Sequence, residues 1–196
     1  MAKKLYFRHG AMGSSKTANL LMVAHNYREK GQEVLILKPS LDTRSPPGKL
    51  ASSLGIEADA VEIGIDDSVV ELVSRRCINR PPACILVDEA QFLSEKQVSH
   101  LASVVDSMDI PVICYGLRTD FQGKLFEGSA ALMAMADSIE EIKTVCWCGR
   151  KASFNARIEN GKVVRTGRQI EVGGRDAYAS LCRKHWMSGE LGCQYR

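Results

Sequence analysis

Two short segments have residue types and spacing suited to handling a nucleotide. Gly10, Ala11, Met12, Gly13, Ser14, Ser15, Lys16 and Thr17 follow the pattern G-x-x-x-x-G-K-[ST], except that Ser15 stands where the pattern has glycine. In such a turn successive main-chain N–H groups curl round an anion. The start of the following helix adds positive potential, and Lys16 adds a full charge. Thr17 offers a hydroxyl to Mg²⁺. If residue 15 requires a positive φ, serine there costs on the order of 1 kcal/mol or more. Taken by itself, the segment also reads as a plain Ser/Gly turn capping an amphipathic helix.

The second segment is Cys84-Ile85-Leu86-Val87, an apolar run ending in Asp88 and Glu89. Adjacent acids at the end of a buried strand are costly to desolvate without a partner such as a cation. In proteins with a phosphate-binding loop such a strand is expected beside the first one. Asp88 then serves Mg²⁺, and Glu89 is free to take a proton as a general base. These residues leave the acceptor open between water and an alcohol.

A different chemistry is concentrated near the C-terminus. Cys146-Trp147-Cys148 and Cys182-Arg183-Lys184-His185 supply three thiolates and one imidazole. That is a closed tetrahedral set for structural Zn²⁺, and four protein ligands leave no open position for catalysis. Cys193 is a rival for the fourth place. Cys77, Cys84 and Cys114 fall in apolar or helical stretches and read as buried small hydrophobes.

The elements that must position these groups alternate along the first 140 or so residues. Leu5–Arg8 is a short strand. A helix runs from about Lys16 to Lys30, with Gly31 placed to end it. Val34–Leu37 is a strand closed by Pro39, and Thr43–Gly55 is a loop. Asp67–Cys77 is helical and Cys84–Val87 is a buried strand. A helix then opens at Ser94 with a capping box to Gln97, and Val112–Tyr115 is a fourth strand. Leu132–Met135 reads as helix packing. This alternation indicates a parallel sheet covered on both faces. From residue 144 onward cysteines, glycine pairs and short β-like pieces replace it. The division is a domain over 1–143 and a small metal-stapled unit over 144–196.

Composition removes several classes of function. The chain has 196 residues, 45% of them apolar and 25% charged, as in ordinary globular domains. A surplus of 26 basic over 23 acidic residues is too small to argue for a nucleic-acid or membrane surface. No apolar run reaches the roughly 18 residues of a membrane span, and the first nine residues contain no signal segment, so the cytoplasm is expected.

Several motifs occur in the chain in a fixed order. Tyr6-Phe7-Arg8-His9 leads into the loop, and Lys38-Pro39-Ser40-Leu41-Asp42-Thr43-Arg44 comes next. Val87-Asp88-Glu89-Ala90-Gln91-Phe92 and Gly116-Leu117-Arg118-Thr119-Asp120-Phe121 come after these. The two Cys/His pairs and Val172-Gly173-Gly174 with Tyr178 complete the set. In these motifs, from Leu5 to His185, the chain resembles the thymidine kinases of the compact, zinc-containing type.

The resemblance implies a RecA-like P-loop NTPase fold, α/β with a parallel sheet, plus a small zinc-ribbon-like domain carrying a lasso loop. It implies transfer of the ATP γ-phosphoryl group to the 5′-hydroxyl of thymidine, with ATP, Mg²⁺ and structural Zn²⁺ bound and a homotetrameric assembly. Carried across by position, residues 10–17 hold the ATP phosphates and Asp88 serves Mg²⁺. Asp42, Thr43, Arg44 and Gln91 lie near the phosphates and metal, and Glu89 is the general base. Met12, Leu117 and Phe121 wall the thymine. Gln169, Ile170, Glu171, Val172 and Gly173 form the lasso, supported by Tyr178, and Cys146, Cys148, Cys182 and His185 hold the zinc. Three features depart from the common family pattern: Ser15, Arg118 where many relatives have Asp, and the tight Cys-x-Cys pair. Two alternatives belong to other classes. One is a RecA-like ATPase in which Glu89 activates water and the zinc module contacts a macromolecule. The other is a zinc-ribbon nucleic-acid module on an inactive core.

Overall fold

A computed structural model describes residues 2–78, 80–170 and 177–195. Strands β1 (Leu5–His9), β2 (Val34–Pro39), β5 (Val61–Ile63), β6 (Cys84–Val87), β7 (Val112–Gly116) and β8 (Ser138–Glu141) form one sheet. Their order is β5-β2-β6-β7-β1-β8, and every pairing is parallel. Because side chains alternate across a strand, the same short apolar runs feed two cores. Leu5, Phe7, Ile85, Val87, Val112 and Cys114 point to one face. Helices α2 (Val69–Cys77), α3 (Glu95–Met108) and α4 (Glu127–Met135) cover that face. Ile36, Cys84, Leu86, Ile113 and Tyr115 point to the other. Helix α1 (Lys16–Glu29) covers it through Leu20, Leu21 and Ala24, helped by Leu50 on strand β3 (Lys49–Ala51).

The expected helices and strands form close to their signals. Helix α3 carries the Ser94–Gln97 capping box, worth about 1 kcal/mol at a helix start. Gly31 comes just after α1 with φ 69°. Four expectations need correction. The strand bearing Asp88 does not lie beside β1, because β7 runs between them, with Phe7, Cys114 and Val87 in register across the three strands. The segment 43–55 is not wholly a loop, since β3 pairs antiparallel with β4 (Glu57–Asp59). Cys77 is only half-buried, and Met133 and Met135 are 38% and 40% exposed while Leu132 packs inside.

Beyond β8 the chain forms smaller sheets. Strands β9 (Thr144–Val145) and β10 (Lys151–Ala152) make an antiparallel pair. Strands β11 (Phe154–Glu159), β12 (Lys162–Val164) and β13 (Tyr178–Leu181) make a three-stranded sheet with β11 central. Helix α5 (Arg183–Ser188) packs on it. The core here is small: Ala152, Ala156, Ala179, Leu181 and Leu191, with Cys146 and Cys182.

One close approach ties the helical layer to the acidic strand end. Gly128 on α4 packs against the turn at 90–93; a Cβ there would sit 2.5 Å from the Ala90 carbonyl oxygen and 2.6 Å from that of Leu93. Both obstacles are backbone, so the turn itself would have to move. Gly128→Ala is expected to destabilise the protein by about 1–3 kcal/mol, the range for overpacking. Urea unfolding measures this, and an unchanged midpoint would show that the turn yields freely.

Candidate active site

The loop between β1 and α1 wraps its own lysine. Ser15 caps α1 at φ 60°, ψ 31°, so the departure from glycine falls at a left-handed position and carries the expected strain. Lys16 is buried, and its ammonium donates to the Gly10 carbonyl at 3.1 Å, the Ala11 carbonyl at 2.9 Å and Ser14 Oγ at 3.4 Å. Burial lowers its pKa below the usual lysine value, while Glu89 and Asp88 act to retain the proton.

The acidic pair meets this loop across β7. Thr17 Oγ1 donates to Asp88 Oδ2 at 2.7 Å. Asp88 is fully buried, and its other oxygen, Oδ1, has no hydrogen-bond partner among the described residues. Burial first, and the neighbouring Glu89 second, push its carboxyl up to about 7 against Thr17, Arg44 and Lys16. An orphaned buried carboxylate oxygen beside a threonine hydroxyl is a donor set that fits a hard divalent cation such as Mg²⁺.

Glu89 comes next at φ 48°, a second left-handed non-glycine residue, and its carboxylate is clamped from two sides. Arg44 Nη2 lies 2.5 Å from Oε1, and the Gln91 side-chain amide donates to Oε2. Arg44 also grips Asp42, with Nε 2.7 Å from Oδ1 and Nη2 3.1 Å from Oδ2. Burial works against the Arg44 charge, but Glu89, Asp42 and Asp88 outweigh it and raise its pKa. Burial likewise opposes the Asp42 charge, and the Arg44 contacts prevail, holding its pKa below the ordinary carboxylate value. Gln91 accepts the Leu117 N–H on its Oε1 at 2.9 Å. It therefore braces Glu89 and does not line the cavity, although the sequence placed it near the phosphates.

These groups open into a cavity of about 1060 Å³. Met12, Gly13, Ser15, Lys16, Thr17, Asp42, Thr43, Arg44 and Glu89 form its polar end, while Gly10, Ala11, Ser14 and Asp88 stand behind that lining. Leu117, Phe121, Gln169, Ile170 and Tyr178 line it as well, together with Asp120, Asn155 and Ser180. The Gln169 amide donates to Asp120 Oδ2 at 3.0 Å. Glu171, Val172 and Gly173 lie outside the described residues.

Several residues that build the site were not singled out from the sequence. Asn155 on β11 accepts the Met12 N–H at 2.8 Å and donates to the Thr119 carbonyl at 3.1 Å. Ser180 on β13 donates to the Met12 carbonyl. Trp186 Nε1 donates to the carbonyls of Phe121 at 3.2 Å and Asn155 at 3.1 Å. Arg157 covers the Phe121 ring with its guanidinium carbon 3.9 Å from the centroid. The available signal was period-two polarity: Asn155 and Arg157 share one face of β11, as Tyr178 and Ser180 share one face of β13.

The four sulfur and nitrogen ligands do converge. Cys146, Cys148, Cys182 and His185 place one ligand atom each within 4.8 Å of one another. His185 presents Nδ1 to Cys146 Sγ at 3.5 Å, its other nitrogen faces Glu190 at 3.7 Å, and Trp147 stacks on its ring at 4.3 Å. This composition and clustering fit a structural Zn²⁺ site with an outer carboxylate on the imidazole. Cys193 is exposed and stands outside the cluster.

A phosphate loop after a parallel strand, met by a buried acid and facing a cavity with an apolar far wall, defines a P-loop phosphotransferase. The chain belongs to the thymidine kinase family, whose model matches residues 3–186. It is similar to the thymidine kinase of Idiomarina loihiensis, 50% identical over 183 residues that cover 93% of this chain and 95% of that one. The thymidine kinase of Rhodopirellula baltica is 49% identical over 184 residues, covering 93% and 87%. That of Lactococcus lactis is 46% identical over 189 residues, covering 96% and 99%. Among solved chains, Bacteroides Pif1 bound to single-stranded DNA superposes with a TM-score of 0.39 at 13% identity over 71% of this chain and 38% of that one, too loose a likeness to carry an inference. Among the described residues no helix is long and apolar enough to cross a membrane.

The raised Asp88 carboxyl has a consequence for stability. The folded chain keeps its proton up to about pH 7, whereas an ordinary carboxyl releases it near 3.8. Stability tied to this group is therefore intact below pH 4 and is lost as pH rises through 7. Asp88→Asn is expected to melt several degrees above the metal-free wild type at pH 8, with the gap closing towards pH 4. Thermal melts across that range check it, and a gap independent of pH would contradict the assignment.

Proposed function

We propose that this chain transfers the γ-phosphoryl group of ATP to the 5′-hydroxyl of thymidine, giving dTMP and ADP. The observation that carries the reading is the Thr17–Asp88 contact at 2.7 Å. It brings the phosphate loop and the acidic pair together beside a cavity that Leu117, Phe121 and Tyr178 also line. An apolar wall with few polar groups suits a nucleobase, and the polar end suits a triphosphate.

Position assigns the roles. Residues 10–17 hold the phosphates through main-chain N–H groups, and Lys16 turns from the loop carbonyls to the phosphate oxygens when these fill the turn. Asp88 and Thr17 would hold Mg²⁺, which when bound neutralises charge on the phosphates. Arg44 and Gln91 orient Glu89. As the 5′-oxygen forms its bond to the γ-phosphorus, Glu89 takes the hydroxyl proton, and the bond from that phosphorus to the bridging oxygen breaks to release ADP. Gln169 and Ile170 close the nucleoside end and exclude water, which would otherwise accept the phosphoryl group. A water-activating ATPase has no use for the apolar wall, and this favours the kinase reading.

Cys146, Cys148, Cys182 and His185 would hold a structural zinc that stabilises a unit with too small a core of its own, the division falling near residue 143. Family membership supports a cytosolic homotetramer working in nucleotide supply for DNA synthesis.

A panel of nucleosides assayed for ATP-dependent phosphorylation tests the activity; ATP turnover that needs no nucleoside would replace it with the ATPase. Glu89→Gln is expected to lower kcat by about 10²–10⁴, the usual contribution of a general base, with MgATP affinity nearly unchanged. Equal kcat in that variant removes Glu89 from the role. Chelating the zinc is expected to weaken thymidine binding before the parallel sheet unfolds, as read by calorimetric titration alongside far-ultraviolet circular dichroism; thymidine affinity indifferent to the metal would count against the staple.

A further inference from the structure

We infer that Arg157 is a positioning residue of the nucleobase site, one side chain that touches Phe121, Tyr178 and the segment leading into Gln169 together. Arg157 lies on β11 and is buried, with 3% of its surface exposed. Its guanidinium carbon sits 3.9 Å from the Phe121 ring centroid. Its Nε donates to the Tyr178 hydroxyl at 3.1 Å, across the β11–β13 pairing in which these two residues are directly opposite. Its Nη2 donates to the Arg168 carbonyl at 2.9 Å, just before Gln169 and Ile170. Phe121 and Tyr178 line the cavity, while Arg157 is absent from its described lining. The guanidinium therefore stands behind the aromatic residues, away from the ligand space.

The chemistry of the side chain explains why one residue serves all three. A guanidinium is planar and forked, so it stacks on a ring with its face while its edge donates in fixed directions. An ammonium is a point donor that cannot meet these demands together. The lid is shaped round the same group. Gly167 is exposed and has φ 131°, and a Cβ there would fall 2.9 Å from Arg157 Nη1 and 3.7 Å from Phe121 Cζ. A side chain at residue 167 would press on the end of the guanidinium and force it to shift, at a backbone conformation that favours glycine.

The inference rests on the kinase reading for the identity of the ligand, and the test separates the two. Steady-state constants for thymidine and ATP, together with melting temperatures, are measured for the wild type, Arg157→Lys and Gly167→Ala. Arg157→Lys keeps the charge and loses the fork. It is expected to raise the thymidine KM about tenfold, the loss of two charge-assisted hydrogen bonds partly offset by the retained cation, and to leave the ATP KM within about twofold. Gly167→Ala deletes no contact and sits at an exposed position. It is expected to shift the thymidine KM in the same direction, which preserves the test if Arg157→Lys folds poorly. A thymidine KM unaltered in both variants, or thymidine and ATP KM values rising in parallel with a lowered melting temperature, overturns the positioning role. A wild-type chain without thymidine-dependent turnover overturns the kinase reading instead.

Discussion

The hydrogen bond from Thr17 to Asp88 joins the helix that follows β1 to the end of β6, a strand that is not a neighbour of β1. Thr17 lies in the first turn of α1, and Asp88 follows the last residue of the fully buried strand β6 with its N–H donated to the Leu37 carbonyl at 3.0 Å. The bond leaves one Asp88 oxygen without a donor, among the described residues, in a place closed to solvent. Such an arrangement is unfavourable while the carboxyl is charged and the site empty, and either a proton or a cation relieves it. The clamped Glu89, the lysine folded back on its own loop and the cavity in front are all arranged around that one uncompensated atom.

Strain accompanies the electrostatics. Ser15 and Glu89 are left-handed non-glycine residues, and each sits next to a chemically important neighbour, Lys16 in one case and Asp88 in the other. Each such residue costs on the order of 1–3 kcal/mol, supplied by the packed sheet and helices on either side. At Ser15 a serine takes the left-handed conformation that glycine adopts without strain. At Glu89 the left-handed turn points the carboxylate away from Asp88 and into the grip of Arg44 and Gln91. Two adjacent acids thereby acquire different surroundings, one held by a hydroxyl and one by a guanidinium and an amide.

Most of the frame was legible because the signals were local. The runs Leu5–Arg8, Val34–Leu37, Cys84–Val87 and Val112–Tyr115 are short, mostly apolar and bounded by turn or helix signals, which favours strands, and Ser94–Gln97 marks a helix start by its own hydrogen bonds. Strand order was not legible, because nothing in a four-residue apolar run says which neighbour it chooses. That is why β7 between β1 and β6 came as a correction. Site residues were legible where a motif carried them, as with residues 10–17, 88 and 89. Asn155, Arg157, Ser180 and Trp186 were not, because their roles are made by long-range contacts, 31 to 168 residues apart in sequence for three of them. Arg44 shows the same limit from the other side: a proline-rich loop suggests a solvated arginine, and only the fold brings it to Glu89.

The intervening strand has one more effect. Loops at the C-terminal edge of a parallel sheet emerge in the order of their strands, so the segment leaving β7 rises between those leaving β1 and β6. That middle segment is Leu117–Phe121, the aromatic shelf. Connectivity alone thus sets Leu117 and Phe121, two residues of the cavity lining, between the phosphate loop and the acidic turn, and a chain that kept every one of these side chains but swapped two strands in the sheet would lose that placement.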